Sequence, residues 1–326
     1  MKITVLGAGA WGTALARILA LRKHEVALWD YFPETADTIN RTHVNERYLP
    51  GISLPENLRG EPDANKAVSG AELVVVASVS KGFRNATKCL GNFSGVVVSV
   101  TKGIEFETGK TMTDILAENA PKGRIVAMSG PTLAGEVAKG VPTAIVAAST
   151  DASAAQTVQE LFHGPAFRVY TSNDVHGVEL GGALKNVIAI GAGVCDGLGF
   201  GDNSKAALVT RAVAEMRRLG VACGAQPETF TGLSGLGDLM VTCFSKLSRN
   251  RGFGERLGKG EKAEAIVASM TAVAEGYPNA RSVRELARRH SVDAPIMAEV
   301  YAMCYEGKDA RQALQDLTTR ESKAED

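Results

Sequence analysis

Apolar residues in the first half of the chain fall into short, nearly unbroken runs, separated by polar segments with helical spacing. "KITVLGAG" is a β-branched strand stopped by glycine, and "WGTALARILALRKH" follows with Leu15, Ile18 and Leu19 on one helical face. "EVALWD" is a second strand, and "ELVVVASV" (72–79) and "GVVVSVTKG" (95–103) are two more, apolar at nearly every position. A strand wetted on one face alternates, so such runs predict strands covered on both faces, as in a parallel sheet between helical layers. "RIVAMSGPT", "TAIVAAS" and "FRVYTS" continue the series to Ser172. The alternation predicts a doubly wound α/β domain over residues 1–172.

Beyond Asp174 the period lengthens. Helical patterns cover 175–194, 205–219, 261–274, 280–290 and 294–305, which predicts an all-helical second domain over residues 173–326. The polar end "TTRESKAED" is expected to fray. No apolar run of about 20 residues stands out, so no membrane span is expected.

Composition narrows the function classes. Lysine plus arginine (36) balance aspartate plus glutamate (36), so no global field favours nucleic acid or an anionic membrane, and any anion site must be local. The five cysteines are scattered without a CxxC pair or histidines at zinc-ligand spacing, which fits free thiols in a reducing cytoplasm. The five histidines have no companions arranged for a triad or a metal, and no metal site is expected.

Gly7, Gly9 and Gly12 stand between the first strand and the first helix as G-A-G-A-W-G. A secretory signal is the competing reading, since Lys2 precedes an apolar run, but three glycines weaken the helix it needs and Arg17 follows directly. In a dinucleotide-binding turn, Gly7 permits the tight bend, Gly9 lets backbone approach a pyrophosphate, and Gly12 allows close helix packing. The helix N-terminus beyond offers free N–H groups to the anion. The second strand ends in Asp30, 23 residues after Gly7, placed to accept the adenosine ribose hydroxyls. That carboxylate repels a 2′-phosphate, Tyr31 and Phe32 supply no arginine, and Arg41 and Lys23 stand elsewhere. NADH is therefore expected over NADPH, with NADP use possible.

A dinucleotide site names no substrate. "ELGGALKNVIAIGAGVCDGLGF" is nearly free of charge yet carries Lys185 among Leu184, Val187, Ile188 and Ile190. An ammonium on such a face is either a snorkelling helix-edge lysine or a partly desolvated acid beside a carbonyl. Asp238, isolated in "TGLSGLGDLMVTC", is either a helix N-cap or the partner of Lys185. "KLSRNRGFGERLGKG" is the most basic stretch; its glycines suggest a loop presenting arginine to a phosphate, the alternative being a solvated helix face. Lys102 in "VTKGIE" and Gly130, Pro131 and Thr132 in "SGPTLAGEVAKG" follow strands at the edge where doubly wound sheets bind ligands.

These segments, in this order along nearly the whole chain, resemble the bacterial NAD(P)-dependent glycerol-3-phosphate dehydrogenase family. The resemblance implies a Rossmann domain joined to a helical domain like that of 6-phosphogluconate dehydrogenase. It further implies interconversion of dihydroxyacetone phosphate and sn-glycerol 3-phosphate for phospholipid synthesis by a cytoplasmic homodimer. It assigns Lys185 as acid/base with Asp238 assisting, and Lys102, Gly130, Thr132, Asn186, Ser248, Arg249 and Asn250 to the substrate. Ala10, Trp11, Tyr31, Lys102, Ala134, Arg249, Val273 and Glu275 match positions near the cofactor. In "WDYFPE" the chain departs from relatives that carry a basic residue just after the strand. The rival readings are a reductase of the same architecture for another small keto or hydroxy acid, and a non-catalytic NAD-binding module, which has no need of Lys185.

Overall fold

The computed structural model describes residues 1–270, 273–321 and 324, and the chain divides into two compact units. The first comprises Met1–Glu105 and Lys110–Glu179, the second Phe106–Gly109 and Leu180–Asp326.

The first unit is built on strands β1 (Lys2–Leu6), β2 (Glu25–Trp29), β3 (Val44–Asn45), β4 (Leu49–Ser53), β5 (Leu58–Gly60), β6 (Leu73–Val76), β7 (Val96–Ser99), β8 (Arg124–Ser129), β9 (Thr143–Ala148) and β10 (Phe167–Ser172). Eight of them form one sheet in the order β10-β9-β8-β7-β6-β1-β2-β5. The chain runs outward from β1 through β2 to β5, then returns to β6 on the other side of β1. That reversal at the carboxyl ends of β1 and β6 is the switch point at which doubly wound sheets bind ligands.

The apolar runs are buried on both faces, as their composition predicts. Leu73 and Val75 join Ile3, Leu15 and Val98 in one core, while Val74 and Val76 join Leu6, Val97 and Phe83 in the other. Two features depart from the sequence reading. The sheet is parallel except between β8 and β9, where Ala127 faces Ala148 and Ser129 faces Val146. Residues 130–142 stay at the carboxyl edge instead of crossing back, so β9 re-enters from the end where β8 leaves. The second is a small hairpin of β3 and β4, with β5 after it, where the apolar pattern gave no strand.

The second unit is helical among its described residues. Its main helices are Asp202–Ala222, Asp238–Phe244, Arg249–Gly258, Ala263–Ser269, Gly276–Arg289, Pro295–Tyr305 and Ala310–Thr318, together with most of Val175–Gly197. Three of these differ from expectation: "RNRGFGERLG" is a helix, not a loop, Ala310–Thr318 extends the helical region, and the helix expected over 261–274 is confined to Ala263–Ser269, residues 271 and 272 lying outside the described residues. Of the stretch expected to fray, residues 322, 323, 325 and 326 lie outside the described residues. The helix Val175–Gly197 corrects the expectation that no run is long enough for a membrane: its length and hydropathy suffice, but its apolar 18-residue window is entirely buried within the fold, as in a core helix.

Candidate functional site

In the first unit the site is built around the turn after β1. Gly7 sits at φ +115°, a left-handed conformation, and a Cβ there would lie 2.7 Å from the backbone of Ala77 at the end of β6. A Cβ on Gly12 would fall 1.9 Å from the Gly7 carbonyl oxygen, so the helix Ala10–Leu21 packs against the turn only without a side chain there. Gly9 is different: a Cβ would meet nothing within 4 Å. The structure thus needs glycine at Gly7 and Gly12 for its own packing, whereas the space beside Gly9 is left open. An open cradle at a helix N-terminus fits the pyrophosphate of a dinucleotide.

Asp30 is buried and accepts backbone N–H bonds from Ala8 and Phe32, each at 3.0 Å. Burial raises its pKa, against the lowering by these two amides and by the charge of Arg47. It therefore ties the glycine turn to the end of β2. Asn45 of the β3–β4 hairpin, which sequence reasoning missed, donates to the Ala8 carbonyl at 2.7 Å and to the Thr13 hydroxyl at 2.8 Å. No local pattern betrays it, because its partners are more than 30 residues away. Ala10 opens the first helix, Trp11 and Ala134 pack partly buried on the core, and Tyr31 is 79% exposed.

At the carboxyl ends of β7 and β8, Lys102 and Thr132 converge on one atom. The Lys102 ammonium donates to the Gly130 carbonyl at 3.1 Å and the Thr132 hydroxyl donates to the same oxygen at 3.2 Å. The structure brings these three candidates together.

In the second unit the lysine is where the sequence placed it, and its surroundings are apolar. Lys185 is 6% exposed and Asp238 1% exposed, with Nζ 3.1 Å from Asp238 Oδ1. Lys185 also donates to the Thr242 hydroxyl at 2.7 Å, and that hydroxyl donates to the Asp238 carbonyl oxygen at 2.6 Å. Asp238 is the first residue of its helix, after a π-helical turn at Leu233–Gly237, and the N-cap position belongs to Gly237. Thr242 was missed, although its spacing of four from Asp238 places both on one helix face.

Next to Lys185, Asn186 accepts from the Asn250 amide at 2.8 Å, and Asn250 in turn accepts the Gly276 N–H at 2.9 Å. Ser248 caps the helix Arg249–Gly258 by accepting the Arg251 N–H at 3.2 Å. Arg249 is therefore the first residue of a helix, the end at which backbone N–H groups favour an anion, and not part of the loop expected from sequence. Glu275 precedes the helix Gly276–Arg289, and Val273 is 45% exposed. Among the described residues no three His, Cys, Asp or Glu side chains gather as a metal site.

A dinucleotide turn on one unit and a buried lysine–carboxylate pair on the other define the class: a two-unit, nicotinamide-dependent oxidoreductase. The fold alone is shared with a ketopantoate reductase of Ralstonia eutropha, at TM-score 0.63 and 19% identity over 98% of this chain and all of the other. More specific likenesses decide the family. Residues 2–155 match the model of the NAD-dependent glycerol-3-phosphate dehydrogenase N-terminus, and residues 174–315 match that of its C-terminus. Glycerol-3-phosphate dehydrogenase [NAD(P)+] of Trichlorobacter lovleyi is 50% identical over all of this chain and 99% of its own. That of Chlorobium phaeobacteroides is 46% identical over the same shares. The crystal structure of glycerol-3-phosphate dehydrogenase from Coxiella burnetii superposes at TM-score 0.94 with 37% identity, covering 98% and 99% of the two chains. The chain belongs to the NAD(P)-dependent glycerol-3-phosphate dehydrogenase family.

Proposed function

We propose that Lys185 is the acid/base of this enzyme, with the turn at Gly7–Gly12 holding its cofactor and Arg249 holding the substrate phosphate. The reaction is that of the family, interconversion of dihydroxyacetone phosphate and sn-glycerol 3-phosphate with NAD(P), which supplies the backbone of phospholipids. NAD(P)H held at the Gly7–Gly12 turn would supply the hydride that reduces the ketone carbon. As negative charge grows on the carbonyl oxygen, the Lys185 ammonium donates a proton to it, and the ketone becomes a secondary alcohol. In reverse the neutral amine takes that proton back.

The single observation that carries this reading is an ammonium in an apolar helix, held by Asp238 at 3.1 Å and Thr242 at 2.7 Å. A merely structural lysine would snorkel to water. Asp238 and the Thr242 hydroxyl keep the Nζ at one point in space, which is the geometric demand on a proton donor. Arg249 and the N–H groups after Ser248 suit a phosphate dianion, and Asn186 and Asn250 line up beside Lys185 to bind hydroxyls. Lys102, Gly130 and Thr132 carry the family's substrate pattern in the first unit. Gly9, Ala10, Trp11, Asp30, Tyr31, Ala134, Val273 and Glu275 are assigned to the cofactor, with Lys102 and Arg249 shared. The first unit, Met1–Glu105 with Lys110–Glu179, serves as the dinucleotide domain expected over 1–172, and the second, Phe106–Gly109 with Leu180–Asp326, as the substrate domain expected over 173–326. The Asp30 carboxylate favours NAD over NADP, and the enzyme works as a cytoplasmic homodimer.

The test is oxidation of NADH by the purified chain, followed by nicotinamide absorbance. Turnover with dihydroxyacetone phosphate and none with ketopantoate supports the reading; the opposite pattern overturns it.

A further inference from the structure

The sequence offers no base beside Asp30 to receive a 2′-phosphate, but the fold brings one there. The β3–β4 hairpin turns at residues 46–48, and the Arg47 guanidinium carbon lies 4.5 Å from the centroid of the Phe32 ring and 5.1 Å from that of Tyr48. Phe32 is two residues beyond Asp30, and its N–H is one of the two that the Asp30 carboxylate accepts. Two residues before Arg47, Asn45 bolts the hairpin to the Ala8 carbonyl and to Thr13. The cation is thus fixed relative to the glycine turn by a buried anchor, not carried on a free loop.

Its commitments elsewhere are slight. Among the described residues Arg47 donates no hydrogen bond. Its carboxylate neighbour Glu34 is 3.9 Å away, with the two side chains 51% and 68% exposed. Such a loose surface pair yields readily to a phosphate dianion, which offers a guanidinium two short charge-assisted bonds. Ring faces hold the flat of the guanidinium and leave its N–H edge for a ligand.

We propose that Arg47 is a cofactor-selecting residue, which takes the 2′-phosphate of NADP and so offsets the repulsion of Asp30. This rests on the adenosine ribose lying at Asp30, as under the proposed function. The chain then keeps NADPH as a usable second cofactor even though no basic residue follows β2.

The experiment measures Kd for NADPH and NADH by nicotinamide fluorescence without substrate, and kcat/KM for both at saturating dihydroxyacetone phosphate. Both are measured in the full-length enzyme and three variants, and each NADPH-to-NADH ratio is read both ways, as affinity and as kcat/KM. Arg47→Ala should lower the NADPH-to-NADH ratio by at least about tenfold, the loss expected for one charge-assisted contact. Arg47→Lys, which keeps the charge, should retain a ratio nearer the parent's. Gly9→Ala, at a position where a Cβ meets nothing within 4 Å, should impair both cofactors alike. If Gly9→Ala impairs both but Arg47→Ala leaves the ratio unchanged, Arg47 does not select and the proposal is overturned. If Gly9→Ala impairs neither, the placement of the dinucleotide fails first, and Arg47 with it.

Discussion

Replacing Lys185 with methionine separates its two duties, because methionine keeps the apolar stem and deletes the charge. At 3.1 Å and an effective dielectric of 20, the attraction to Asp238 is about 5 kcal/mol before desolvation is subtracted. Lys185→Met leaves the Asp238 carboxylate buried at 1% exposure without its cation, a change that costs about 3–5 kcal/mol. For a unit of this size that lowers the melting temperature by about 10 °C. The double variant Lys185→Met/Asp238→Asn removes the stranded charge and should recover most of that loss. Catalysis should not follow the same course. The single and double variants should both lose at least about 100-fold in kcat, since neither can protonate the carbonyl oxygen, while the affinity for NADH barely moves. Thermal melting and steady-state kinetics on the same preparations read the two effects. Turnover within tenfold of the parent in Lys185→Met would remove the lysine from the chemistry. A double variant no more stable than the single one would refute the energetic coupling of the pair.

The other predictions concern the phosphate, the glycine turn and pH. Arg249→Ala should raise KM for dihydroxyacetone phosphate strongly with a smaller effect on kcat, and inorganic phosphite should partly rescue turnover of a phosphate-free analogue; a fall in kcat with KM unchanged would contradict the assignment. Gly12→Ala puts a Cβ 1.9 Å from the Gly7 carbonyl oxygen and should destabilise the first unit, whereas Gly9→Ala should melt like the parent and raise KM for NADH; equal melting losses in both would count against their distinct roles. Glu215, 2% exposed, accepts the N–H groups of Ile296 and Met297 near Arg218 and Asp293, and burial pushes its pKa up to about 7. A folded value above the ordinary 4.5 means stability present below about pH 4.5 and lost as pH rises through about 7, by about 3 kcal/mol. Glu215→Gln should therefore flatten the melting profile across that window; a constant offset from the parent at every pH would refute it.

What the sequence made legible was whatever a local pattern encodes. The runs at 73–76 and 96–99 revealed a sheet covered on both faces, because no other setting hides every side chain of a strand. Lys185 and Asp238 stood out as lone charges in apolar segments, and the same isolation buries them together. Strand direction has no such signature, so the reversal between β8 and β9 escaped. The β3–β4 hairpin escaped because Pro50 and Gly51 sit inside β4 and read as a turn. Asn45 and Arg47 were lost with it, and with them the residues that hold and flank the glycine turn. Thr242 was overlooked for a different reason: a threonine four residues after an aspartate attracts no notice until a lysine from another helix reaches it.

The helix Arg249–Gly258 shows why glycines misled there and served elsewhere. Gly252 and Gly254 lower helix propensity and suggested a loop. Yet a Cβ on Gly254 would lie 1.9 Å from the Ile190 carbonyl oxygen, and one on Gly258 2.6 Å from that of Val194. From the opposite side, Gly193 and Gly197 would place a Cβ 2.0 Å from the Arg251 oxygen and 2.3 Å from the Glu255 oxygen. The helix bearing Lys185 and the helix bearing Arg249 and Asn250 therefore meet backbone to backbone. Asp196 adds ion pairs to Lys205 and, at 2.6 Å, to Arg251. Such contact leaves a single register, because sliding either helix by one residue drives a side chain into a carbonyl. In that register Asn250 meets Asn186, the neighbour of Lys185. The propensity lost at the glycines is offset by close packing, and what it secures is position: residues more than 60 apart in the chain are set side by side without any of them supplying the packing.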